Sequence, residues 1–261
     1  MDGFPKFSRL SLARQIDSFH WDVEYFERDV HILILGTLHA ASTYLSDELK
    51  EDLAKLDTAL ESATGHYAEH LDGVRLEVME YHYDQQRFLR NMGVVSLSSR
   101  LTHALNQMAI HAESFSPRKK AYPGKSEYER FWSEYKERFG LDFDAHAEFI
   151  AFVKPMVDVR NRIIHDGGQA NRLKTMEEST SGDTLSFEKN LDRWFSNQYP
   201  QFVEGEGRSA EVKVSQEQLE DMLDQACKLV RWLAAEMRER QLAHAAAQDT
   251  DDPNKDDLIS L

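Results

Sequence analysis

A single cysteine, Cys227, stands in the whole chain, which excludes an intramolecular disulfide. It falls within an amphipathic pattern with no helix start beside it to acidify a thiol, so a packed, unreactive side chain is expected. Long apolar runs are also missing. The most concentrated one, ILILG at residues 32–36, is far shorter than the roughly 20 residues that span a bilayer, so neither a transmembrane segment nor a membrane partner is expected. The start, MDGFPKFSRLSLARQ, has no continuous apolar stretch ahead of a small-residue cleavage site, which points away from a signal peptide and toward the cytoplasm. Positive charge is the third shortage. With 31 Lys and Arg against 46 Asp and Glu, the formal charge is −15, so any contact with a polyphosphate backbone has to be local.

What the sequence does have is helical periodicity, with 41% hydrophobic residues to form a core. Phe19, Val23, Phe26 and Val30 step by three and four, and Leu45, Leu49, Leu53, Leu56 and Leu60 continue the pattern past a break expected near Gly36. A second stripe, Tyr67, Leu71, Val74, Val78, Tyr81, Gln85, Phe88 and Met92, predicts a partner helix that returns through a turn near Gly65 and is capped by Gly93. Further helices are predicted over residues 94–114, over an aromatic-rich segment ending at Gly140, and from a cap at Asp144 through residue 165, with Pro155 kinking the last or opening a new segment. Residues 166–213 lose periodicity apart from a short strand near residues 212–214. A capping box at Ser215 and Gln218 then opens a long helix with Leu219, Leu223, Ala226, Val230, Leu233 and Met237 inward. The acidic end, QDTDDPNKDDLISL, is expected to be disordered. The predicted class is all-α, a helical bundle with a long N-terminal antiparallel hairpin and an irregular insertion before the last helix.

Chemistry concentrates in VRNRIIHDGG, residues 159–168. Spacing alone is a poor guide, because Arg14 with His20, Arg75 with His82 and Arg238 with His244 also place four to six residues between an Arg and a His. Context separates the pair Arg160 and His165: Asn161 follows the arginine, Ile163 and Ile164 intervene, and Asp166-Gly167-Gly168 ends the helix. Asn161 and His165, four apart, share a helix face, and the long Arg160 side chain can reach it. Such a cluster suits cleavage of RNA by its own 2′-hydroxyl, with histidine moving a proton and arginine neutralising charge on the phosphate, and no metal or other cofactor is required. The residues support a second reading equally: Arg160 and His165 could bind the exposed carbonyls of the helix end. Two rival constellations are weaker. HYAEH at residues 66–70 has the spacing of some zinc peptidases but lies in a regular helical stripe with no third ligand, and Glu77, Glu80 and His82 lack di-iron spacing.

RNRIIH at the end of a central helix, followed by a patternless stretch, VKV, and a long helix introduced by SQEQL, resembles the HEPN superfamily (higher eukaryote and prokaryote nucleotide-binding domains) over residues 94–240. The resemblance implies a HEPN-like helical bundle, placed over residues 94–244, between the long hairpin of residues 1–93, which could pack into the same domain, and the disordered acidic tail expected over 245–261. It also implies a homodimer with two Arg–His motifs in one cleft, RNA as substrate, and control by an antitoxin or other regulatory protein. Arg160 becomes the phosphate stabiliser, Asn161 the positioning residue and His165 the proton-transfer group. Arg162, Arg172 and Lys174 would add local positive charge. The loop SPRKKAYPGK supplies Arg118, Lys119 and Lys120 as further RNA-binding candidates. The chain departs from some relatives in its third helix, where SLSSRLTHALNQM offers Arg100, His103 and Asn106 in place of an acidic residue.

Overall fold

The computed structural model describes residues 9–173 and 191–250. They form the expected all-α helical bundle. Its helices are α1 (Arg9–Arg28), α2 (Thr37–Ser62), α3 (His66–His111), α4 (Glu127–Phe139), α5 (Ala147–Ile150), α6 (Val153–His165), α7 (Trp194–Gln198) and α8 (Gln216–Thr250). Two antiparallel ladders of two-residue strands interrupt them: β1 (Arg172–Leu173) with β2 (Leu191–Asp192), and β3 (Val203–Glu204) with β4 (Glu211–Val212). Among the described residues no helix is long and apolar enough to cross a membrane.

The chain divides into two compact units, each assembled from separated segments. The first contains Met1–Asp29, Ser99–Ala151 and Asp224–Leu261. Its core gathers Phe19, Leu101, Leu105, Met108, Tyr135, Leu229, Val230 and Leu233, all essentially inaccessible to solvent. Helix α4 starts at a capping box: the Ser126 hydroxyl accepts from the Glu129 N–H while the Glu129 carboxylate accepts from the Ser126 N–H. It stops at Gly140, whose φ of 65° is left-handed and therefore cheap for glycine. Glu134 is buried on this helix and is satisfied by Arg118 and Arg138. The Tyr135 hydroxyl donates to the Leu105 carbonyl at 2.7 Å, and burial pushes its pKa up.

The second unit contains Val30–Ser98 and Phe152–Leu223. Helices α2 and the first half of α3 form the expected antiparallel hairpin, turning at Gly65 (φ 58°) and crossed by Arg75–Asp57 at 3.4 Å and His82–Asp52 at 3.7 Å. The break expected near Gly36 is instead a π-helical stretch, Asp29–Gly36, that carries the helix onward with Val30 and Ile34 buried. Gly93 does not cap a helix, and no boundary falls there, because α3 runs unbroken to His111. A Cβ at Gly93 would lie 2.8 Å from a methyl of Leu38 and 2.7 Å from one of Leu219, so this glycine marks a close approach of side chains and not a terminus. The stripe expected to bury α3 is only partly inward. Leu71 is buried, whereas Tyr67, Tyr81 and Phe88 are exposed, because a two-helix hairpin covers one side of each helix and no more.

Pro155 sits in the first turn of α6, where its missing N–H costs nothing, so a new segment begins there. The Ser215–Gln218 capping box forms as read, with the Ser215 N–H donating to Gln218 Oε1 at 2.8 Å and the Gln218 N–H to Ser215 Oγ at 3.1 Å. The inward residues named for α8 are all buried. Residues 245–250, expected to belong to the disordered tail, continue α8, and 251–261 lie outside the described residues.

Candidate active site

Helix α6 is held by its apolar side, where Val153, Met156 and Val159 are buried. Its end is backbone-capped. Asp166 leaves helical geometry, Gly167 and Gly168 adopt φ of 61° and 83°, and the Arg162 carbonyl accepts from the N–H groups of Asp166 at 3.2 Å and Gly168 at 2.9 Å. The Gly168 carbonyl in turn accepts from the Val212 N–H at 2.6 Å, which ties the helix end to β4. Neither Arg160 nor His165 serves a terminal carbonyl among the described residues, so the capping reading loses its support.

His165 is exposed, and its imidazole has no hydrogen-bond or ion-pair partner among the described residues. Asn161, half-buried, lies one turn earlier on the same face. Arg160 starts about 140° round the helix from His165, at about 100° per residue. Its guanidinium is brought back by a hydrogen bond from Nη1 to Asn161 Oδ1 at 2.8 Å. Asn161 thus orients the arginine toward the face that carries the histidine. The arrangement offers a fixed cation and an accessible proton carrier, the two functions that phosphodiester cleavage requires.

The other charged candidates are placed differently. Arg162, read as an RNA contact, is buried: its guanidinium lies 3.0 Å from Asp166 and 3.5 Å from Asp192 and rests over the Phe195 ring. Two residues on from Arg160, it points from another side of the helix, into the unit, and works as a structural ion pair. Of the three cations named in the loop, Arg118 is held in a bidentate pair with Glu134 and Lys120 is 2.6 Å from Glu137, which leaves Lys119, like Lys125 further along the loop, without an ion pair among the described residues. This loop belongs to the first compact unit, and α6 to the second. Arg172 pairs through its backbone in β1, its side chain is outside the described part, and Lys174 lies outside the described residues.

Sequence reasoning missed the neighbours of Asn161. Lys154 and Asp158 share its face, and Lys154 Nζ lies 2.9 Å from Asp158 and 3.0 Å from the Tyr199 hydroxyl, which itself donates to Asp158 at 2.7 Å. The hydrogen bonds to Tyr199 and Asp158 raise the pKa of Lys154, while burial raises that of Tyr199. Lys154 also stands 5.4 Å from the ring of the exposed Trp194. The i,i+4 spacing of Lys154 and Asp158 was visible in the sequence, but the approach of Tyr199 from 41 residues away was not.

At the rival constellation, His66 is fully exposed and bonded to Glu69, and among the described residues no three His, Cys, Asp or Glu side chains converge as metal ligands. Comparison with family models, with curated proteins and with solved structures finds no match to this chain.

Proposed function

We propose that this chain is a metal-independent endoribonuclease of the HEPN type that cleaves RNA in a composite site formed by two copies. The observation that carries this reading is the Arg160–Asn161 hydrogen bond, which holds a guanidinium toward the helix face of a solvent-accessible His165. In the proposed reaction the ribose 2′-oxygen attacks the adjacent phosphorus. One His165 accepts the 2′-hydroxyl proton, and His165 of the second copy donates a proton to the departing 5′-oxygen. The products are a 2′,3′-cyclic phosphate and a 5′-hydroxyl. The Arg160 pair neutralises the charge that builds on the pentacoordinate phosphate. A cytoplasmic toxin or anti-phage effector restrained by an antitoxin or regulatory protein is the setting that fits such an activity.

The test is incubation of purified protein with total RNA in a chelator, beside His165→Ala and Arg160→Ala. Wild type leaves cyclic phosphate ends, and each variant loses at least about 10²-fold in rate. Equal cleavage by wild type and variants assigns the activity to a contaminant and overturns the proposal. A second reading, a catalytically silent helical module that binds a protein partner, draws on the neutralisation of Arg118 and Arg162 by carboxylates, which removes cations an RNA surface would use. It is favoured if wild type leaves RNA intact.

A further inference from the structure

The end of α6 has a second side. About 200° round the helix from His165, at about 100° per residue, Ile163 borders a cleft of about 270 Å³, with Gly167 and Gly168 at one wall and the helix carrying Phe88 and Asn91 at the other. That volume is just below the roughly 300–1,000 Å³ of sites for drug-sized ligands, and suits one side chain or one ring.

Three features of the wall define what fits. Phe88 lines the cleft and is 61% exposed, so part of its ring surface is open. Asn91 is 92% buried, and its Nδ2 donates to the Val212 carbonyl, which fixes the sense of the amide because the reverse would set two carbonyl oxygens together. Its Oδ1 is then a buried acceptor with no hydrogen-bond partner among the described residues. The Nδ2 bond is long, 3.3 Å, and Asn91 is one of the residues that line the cleft. The third feature is charge. Asp84 and Glu211 line the cleft against one cation, Arg87, which is already paired with both.

The unmet requirements are a donor for Asn91, positive charge for the surplus carboxylate, and a flat group for Phe88. A phosphate fails on charge, and an ammonium offers no plane to stack. We propose that this cleft receives the guanidinium of an arginine side chain carried on a basic segment of a partner protein. The surrounding charge of −15 steers such a segment toward the protein. The site stands whether or not the chain is a nuclease.

The test is titration of the full-length protein with acetyl-arginine methylamide, its citrulline analogue (nearly isosteric, uncharged) and its lysine analogue, read from the Asn91 side-chain amide resonances. The arginine compound shifts them saturably, citrulline binds at least about tenfold more weakly, and lysine is weaker than arginine by about threefold. Phe88→Leu and Asp84→Asn, both at exposed positions, weaken arginine binding about threefold or more while the protein stays folded by circular dichroism. Four outcomes overturn the proposal: no shift, equal shifts with citrulline, unchanged binding in both variants, or adenosine displacing the arginine compound, which would make the cleft a nucleobase site.

Discussion

Two arginines on α6 are placed differently. Arg160, half-buried, is bonded to Asn161, and Arg162 is locked inward between Asp166 and Asp192. Arg162→Met removes the cation that Asp166 and Asp192 share. The cost expected is about 2 kcal/mol, below the 3–5 typical of a fully buried pair because each carboxylate keeps some water contact. The shift in urea midpoint measures it, and partial recovery in Arg162→Met with Asp192→Asn assigns it to the pair. Asn161→Ala should release Arg160 and lower cleavage with little loss of stability, as read from cyclic-phosphate yield beside a melting curve. His111 gives a pH signature. Its hydrogen bond to Asp22, 2.7 Å, outweighs its burial and raises its pKa above the ordinary 6.5. The stabilisation is therefore whole below about pH 6.5 and is lost as pH rises through the raised folded value. The difference in urea midpoint between wild type and His111→Gln should shrink from about pH 5.5 to about pH 8.5; a constant difference counts against this coupling. At Cys227, burial pushes the thiol up to about 11, and thiol reagents should react slowly unless the protein unfolds.

At the scale of elements, local chemistry decides the ends of helices and neighbours decide what happens in between. Ser126 and Ser215 each satisfy an N–H at the first turn of a helix, and Ser126→Ala should cost about 1 kcal/mol by chemical denaturation. Both boundaries lie in the residues flanking the helix, although only the Ser215 box was read from them. Gly93 carries the same local signal as a cap, but the helix continues because the following apolar residues Val94, Leu97 and Leu101 are buried along its length. The glycine matters for the room it leaves to Leu38 and Leu219. The α3 stripe teaches the converse. Its seven-residue spacing is real, yet Tyr81 and Phe88 are left in solvent, since periodicity fixes which residues share a face and not whether anything covers that face.

For the molecule as a whole, the formal charge of −15 constrains the proposed RNA binding. With Arg162 buried and Arg118 and Lys120 paired, few cations remain for phosphates, so the log–log salt dependence of RNA affinity should have a slope of only about −1 to −2 on single strands. A much steeper slope would mean a larger basic surface than these side chains provide. The sequence by itself determined the all-α class, the turn at Gly65 and the end of α6 at Gly167 and Gly168, because each depends on residues within a turn or two of chain; at Pro155 it left a kink and a new segment both open, and the helix opens at Val153. It also placed Asn161 and His165 on one face, since helix geometry alone does that. Only the tertiary structure decided which arginine is locked inward, where the basic loop's charges go, and that Tyr199, Asp192 and Val212 meet the faces of α6 and α3. Those outcomes rest on contacts between residues distant in sequence, and burial and charge pairing are set by which surfaces meet.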